Sequence, residues 1–337
     1  MKKKIKRTLA ILLAAIMLIG MTACGNKKSE SSGENLPDKI TLGFWESPNG
    51  ELLAKEQQLL EKKYPDVEIN WVQCESGPDI LTAIQGGSLD FATIGTPPAT
   101  LGVAQEYPYK IFYMHDVIGE SEGLIVKKDS GIKSIKDIKG KKIATLYGST
   151  SHFSLLNALK HEGIKTTDFE LYDMQAQDIY AAWQRGDIDG AYLWEPVKSQ
   201  LLENGGIEII SSEQVAEQGG LTGEVGVVSN SFYEKYPNVV KDYINILDQA
   251  VQDYRDDQDN SASLMADGLG LSKKETLTTM NEIIVKDKSE QKEYLGKDGT
   301  LASVLKDTAD FLYDQKSLNN KADESVFRDA ILSELYE

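Results

Sequence analysis

The run Thr145-Leu-Tyr-Gly-Ser149-Thr150-Ser151-His-Phe-Ser-Leu-Leu puts three consecutive hydroxyl residues between a strand-like segment and the first turn of a helix. A helix N-terminus carries unpaired N–H groups and about half a positive charge, so this place suits a small anion. The Ser149, Thr150 and Ser151 hydroxyls would add donors there. Ordinary N-capping accounts for Ser and Thr at the same positions, and spacing does not separate the two roles. A second such turn is Gly95-Thr96-Pro97-Pro98, where Gly95 admits close backbone approach and the prolines fall where a helix needs no N–H. A cation in an enclosed cleft would need a carboxylate or aromatic faces. Glu195, directly after Trp194 at a predicted strand end, offers the first, although an exposed or salt-bridged glutamate fits the pattern too. Trp45, Tyr147 and Trp194 offer aromatic walls. Trp45 closes the first predicted strand, where open α/β sheets hold ligands, yet packing in the core also employs tryptophan.

Other conspicuous residues fit structural roles. Trp183 and Tyr192 fall inside a helix and a strand, and Asp187 and Asp189 flank a turn at Gly190. Reaction chemistry is poorly provided for. His115, His152 and His161 make no metal-ligand spacing. His152 lies beside Ser151 and Ser154, but neither serine sits in a glycine-flanked nucleophile elbow. No G-x-G-x-x-G after a strand and no P-loop occurs, so the chain is expected to be neither an enzyme nor dependent on a cofactor.

The elements that must position these residues alternate short apolar runs with amphipathic stretches from Lys39 onward. Strand-helix alternation predicts an α/β fold with parallel-rich sheets covered by helices. In Glu51-Leu-Leu-Ala-Lys-Glu-Gln-Gln-Leu-Leu-Glu the leucines recur at near-helical spacing, which predicts one buried face. The same grammar restarts after Glu122. Residues 122–221 are therefore expected to form a second lobe inserted into a first one made of 39–121 and 222–337, the latter ending in C-terminal helices. Two lobes joined by two crossings make a hinged clamshell with its site in the cleft.

The first 23 residues read as a secretory signal: five basic side chains by Arg7, then an apolar run from Leu9 to Met21. That run is shorter than the roughly 18 to 20 residues a spanning helix requires. Met21-Thr-Ala-Cys24 resembles a bacterial lipobox, which implies acylation of Cys24 and a lipid anchor on the outer face of the cytoplasmic membrane. Residues 24–38 are polar and rich in Ser and Gly, as a flexible tether is. Cys74 is then the remaining cysteine, so the body has no disulfide framework and Cys74 is expected as a small buried hydrophobe. Loss of Lys2, Lys3, Lys4, Lys6 and Arg7 with the signal takes the formal charge from −17 to −22. Such a body repels nucleic acid and anionic lipid surfaces. An anionic ligand must be held by local dipoles instead.

Ser149 to Lys165 and, above all, Ala181 to Val197 (Ala-Ala-Trp-Gln-Arg-Gly-Asp-Ile-Asp-Gly-Ala-Tyr-Leu-Trp-Glu-Pro-Val) resemble a known family. So do Ser76 to Pro98, Ser212 to Val228 and Leu305 to Gln315. The family comprises the sulfonate, nitrate and thiamine-precursor binding subunits of ABC importers, with the type II periplasmic-binding fold. The resemblance covers most of the chain from Lys39 onward. It implies a monomeric, lipid-anchored receptor that carries taurine or a close aminoalkyl sulfonate to a permease pair and its ATPase, with simple alkanesulfonates as the alternative cargo. It further implies that the Gly95-Thr96 turn meets the anion from the lobe opposite Ser151. Glu224 stands where the resemblance has an aspartate facing the ammonium, and so its carboxylate is one methylene longer.

Overall fold

The structure, a computed structural model, describes residues 35–337. The signal, Cys24 and most of the tether lie outside the described residues. Residues 36–337 form one compact unit, in which no helix is long and apolar enough to cross a membrane.

Eleven strands make two mixed sheets among the described residues. The first contains β1 (Lys39–Phe44), β2 (Glu68–Gln73), β3 (Phe91–Gly95), β4 (Tyr109–Ile118), β10 (Gly223–Ser229) and β11 (Ile283–Val285), in the order β11-β4-β10-β3-β1-β2. The second contains β5 (Glu122–Lys127), β6 (Lys142–Thr145), β7 (Glu170–Asp173), β8 (Gly190–Trp194) and β9 (Gly206–Ser211), in the order β7-β6-β8-β5-β9. Both sheets are less parallel than the strand-helix alternation predicts. Parallel pairing is confined to β1–β2, β1–β3, β6–β7 and β6–β8, whereas β10 runs antiparallel to β3 and β4, and β5 antiparallel to β8 and β9. The cause is topological: β5 and β10 are the strands by which the chain enters one sheet and returns to the other, and neither arrives through a right-handed strand-helix-strand crossover.

Apolar periodicity explains how the helices sit. In the Pro237–Asp256 helix, Val239, Val240, Tyr243, Ile244, Leu247, Val251 and Tyr254 are buried at spacings of three and four. Tyr243 reaches the core of the first sheet, where Phe91 packs edge-on against Phe112, Phe232 and Tyr243 with ring centroids 5.0–5.5 Å apart. A second core lies beneath β5, β6 and β8, and the C-terminal Leu301–Asp314 helix contributes Phe311 to it, 5.1 Å from Phe153. Trp183 and Tyr192 are core residues as expected, their polar atoms bonded to the Asn204 carbonyl and the Ser212 hydroxyl. Asp189 accepts from the Lys142 N–H and Asp187 pairs with Arg185, both at the turn.

The aromatic cluster around Phe91 should dominate the stability of the first sheet. Phe91→Ala is expected to destabilise the chain by about 3–5 kcal/mol, read as a lowered midpoint of denaturant unfolding.

Candidate functional site

A cavity of about 330 Å³ opens at the strand ends of the two sheets. Trp45, Gly95, Ser149, Thr150, Trp194, Glu195 and Glu224 line it together. These residues lie up to 179 positions apart, and the fold brings them to one place. At Gly95, the end of β3, the two halves approach closely, since a Cβ there would stand 2.6 Å from Thr150 Cγ2. Gly148 holds a left-handed turn (φ +78°) that aims the Ser149–Thr150 peptide at the cavity.

Three expected residues lie elsewhere. Thr96 is fully buried, and its Oγ1 accepts from the Gly223 N–H at 3.3 Å, so it fixes the start of β10. Ser151 is buried behind Thr150 and does not line the cavity. Tyr147 is 40% exposed and stacks on His152 at 4.5 Å, covering the outer side of the turn. Ser151 is turned away because consecutive helical residues diverge by about 100°, and Tyr147 because it precedes the helix and is separated from it by the left-handed Gly148. Cys74 departs from expectation in the other direction. It is half-buried and lines the cavity mouth, and burial pushes its thiol up.

Two hydroxyls of the Ser-Thr-Ser turn are already committed, and that of Ser151 is buried without a hydrogen-bond partner. Ser149 Oγ donates to the Leu146 carbonyl at 2.6 Å and accepts from the His152 N–H, and Thr150 Oγ1 donates to Glu122 Oε1. What remains at the turn are the first N–H groups of the Thr150–His161 helix. Further helix starts border the same cavity: Ser76 and Gly77 of Gly77–Gln85, Gly95 and Pro98 of Thr96–Ala104, and Gln175 to Gln177 of Ala176–Arg185. Four positive dipole ends of helices eight residues or longer therefore converge there.

Beside them stand carboxylates that sequence reasoning missed. Asp116 at the end of β4 and Glu122 at the start of β5 line the cavity with Glu224 of β10. Asp116 is 1% exposed, and burial pushes its carboxyl up to about 7. Glu122 is likewise pushed up to about 7 by burial, although the Thr150 and Ser212 hydroxyls partly stabilise its charge. Glu224 is raised well above the ordinary range, first by burial and then by Asp116, while the nearby Trp45 indole lowers it somewhat. Asn49 joins this wall to the fold. Its Oδ1 caps the Gly50–Glu56 helix at the Glu51 and Leu52 N–H groups, while its Nδ2 lies 3.4 Å from both Asp116 Oδ2 and Glu224 Oε2. The available signal was a charge inside an otherwise apolar run, as in Tyr113-Met-His-Asp116-Val-Ile.

Glu195 belongs to a different cluster at the cavity edge. Lys198, 3% exposed, donates to the Glu120 carbonyl and lies 3.9, 3.6 and 3.7 Å from carboxylates of Glu195, Glu208 and Glu282. Glu195 and Glu208 come from the second sheet's side of the chain and Glu282 directly precedes β11 of the first, so this one ammonium spans both. Burial pushes Glu282 up to about 7. His115 is a core residue, with Nε2 3.0 Å from Thr93 Oγ1 and its pKa lowered to about 3 by burial. Among the described residues no side-chain group could hold a metal ion.

Residues 47–261 match the family described as NMT1/THI5 like. The chain is 37% identical to the "Taurine-binding periplasmic protein" of Escherichia coli (strain K12) over 64% of this chain and 66% of that one. The periplasmic aliphatic sulphonate binding protein SsuA from Escherichia coli has the same fold, with a TM-score of 0.72 and 26% identity over 86% of this chain and 92% of that one. The desulfurization enzyme DSZB shares the fold at 19% identity, with a TM-score of 0.64 over 89% of this chain and 98% of that one.

Replacing Lys198 would strand three carboxylates. Lys198→Met is expected to cost about 3 kcal/mol of stability near pH 8. The loss should be smaller near pH 5, because Glu282, raised to about 7, is then protonated and no longer needs the ammonium. Thermal melts of both chains at the two pH values check the loss and its sign.

Proposed function

The chain belongs to the NMT1/THI5-like family, and on that premise we propose that it is the extracytoplasmic receptor of an ABC importer, with taurine or a close aminoalkyl sulfonate as cargo. One observation carries the choice of cargo: the cavity is bipolar. Among the described residues six acidic side chains line it (Glu46, Glu75, Asp116, Glu122, Glu195 and Glu224), no Lys, Arg or His does, and four helix N-termini open into the same space. A plain anion would meet the dipoles and leave the carboxylates unpaired. A zwitterion satisfies both the dipoles and the carboxylates.

The sulfonate lies against the free N–H groups at the start of the Thr150–His161 helix, with Gly95 approaching from the first sheet. Its charge is permanent, so dipoles hold it at any physiological pH without proton exchange. The ammonium lies between Glu224 and Asp116, beneath the Trp45 indole, and Trp194 walls the short alkyl link. Contacts from both sheets make closure depend on the ligand. Capture and delivery require no bond to be made or broken. The DSZB likeness concerns the fold alone, and the relatives closer in sequence are binding proteins, which favours a receptor over an enzyme.

The lipid anchor at Cys24, the tether, a monomeric receptor, and docking on a permease pair with its ATPase complete the proposal. Two lobes of 39–121 with 222–337 and of 122–221 would close about the crossings that follow β4 and β9.

Titration calorimetry on residues 36–337 tests the cargo. Taurine is expected to bind well over tenfold more tightly than ethanesulfonate, nitrate or alanine, since ethanesulfonate leaves the buried acids unpaired. Glu224→Ala is expected to weaken taurine by about 30-fold or more, the cost of losing a buried charge partner. Equal binding of ethanesulfonate would make the chain a receptor for simple alkanesulfonates. Failure of all four would leave only the transport class.

A further inference from the structure

Asp116 and Glu224 are register partners on the antiparallel strands β4 and β10. Directly opposed residues of such a pair project from the same face, so the two carboxyls are held side by side by the sheet itself. They share a single amide donor, Asn49 Nδ2, at 3.4 Å from each. The Trp45 indole lies near Glu224 and lowers its carboxyl somewhat. The other titratable groups facing the pair bring no positive charge. They are Glu122 from β5, Glu51 from the Gly50–Glu56 helix and the Tyr254 phenol from the Pro237–Asp256 helix. Lys198, the buried cation of the cavity edge, is spent on Glu195, Glu208 and Glu282.

Two adjacent buried carboxyls without a counter-ion cannot both ionise. We propose that Asp116 and Glu224 hold one proton between them while the cleft is empty, and that a ligand's ammonium displaces it to solvent. One carboxylic acid paired with one carboxylate plus an alkylammonium becomes two carboxylates flanking that ammonium plus one free proton, so charge and atoms balance. Asp116 thus acts as a specificity residue for cationic ligands alongside Glu224. Burial raises both carboxyls, Asp116 raises Glu224 further, and a hydrogen bond from Glu224 lowers Asp116, the asymmetry expected of a pair that shares one proton. Glu122 is distinct, because the Thr150 and Ser212 hydroxyls serve its two oxygens.

The second half rests on the zwitterionic cargo proposed above. The first half does not. Coupling of one proton makes taurine affinity rise by up to about tenfold per pH unit wherever the pair is still protonated in the empty cleft.

The test has two parts on residues 36–337. Carbon-detected NMR of the unliganded chain is expected to show a carboxyl that stays protonated at or above about pH 7, well past the ordinary carboxylate range. That elevated step should disappear in both Asp116→Asn and Glu224→Gln. Calorimetry near pH 7 in two buffers of different ionisation enthalpy should then count about one proton released per taurine bound, falling toward zero in Asp116→Asn. The proton is overturned if no carboxyl responds to both substitutions. The exchange is overturned if the unsubstituted chain binds taurine with no proton release from about pH 5.5 to about pH 8, a result that needs no variant to fold. If the elevated carboxyl is present and taurine does not bind, the cargo assignment falls while the shared proton stands.

Discussion

Uncompensated negative charge in a buried cleft is the constraint around which this structure is arranged. Burying one carboxylate without a partner is costly, and here three face a single cavity. The fold answers with neutral donors: the Asn49 amide, the Trp45 indole, and the Thr150 and Ser212 hydroxyls. It also directs helix N-termini into the same space, so that partial positive charge is present without a basic side chain that would seal the acids off. Each of these devices blunts the penalty and leaves the acids accessible, because a lysine in the wall would pair with them itself.

The alternation of apolar runs was enough to predict an α/β chain. Strand direction was not legible, because pairing depends on where the chain crosses between sheets and no local residue preference records that. Within the site, Trp45, Gly95, Ser149, Thr150, Trp194, Glu195 and Glu224 all reach the cavity. Local sequence marks strand ends and helix starts, and in this architecture those are the places that border a cleft. Thr96, Ser151 and Tyr147 were misplaced because a turn's composition does not state which of its residues points inward. Asp116 and Glu122 escaped notice for a different reason. Each is a single acid within or beside an apolar run, and its importance appears only when β4, β5 and β10 are assembled side by side.

Glu195 shows how far identity of residue type can mislead about role. It borders the cavity, yet one of its oxygens accepts from the Ser199 N–H at 3.1 Å and its carboxylate sits in the Lys198 cluster. A glutamate held by its own helix start and a buried ammonium is poorly free to receive a ligand cation. Glu224, whose nearest charged neighbour is another acid, is the more available partner.

The absence, among the described residues, of any Lys, Arg or His from the cavity lining also governs what the cleft turns away. Inorganic sulfate and phosphate offer the same oxygen tetrahedron as a sulfonate, and helix dipoles alone would accept them. They carry more negative charge and nothing to set against the acids, so the acid-lined cavity repels them. Selectivity of this kind comes from rejection instead of tighter grip, and it would let a receptor collect a scarce organic sulfur compound in surroundings where mineral oxyanions are in excess.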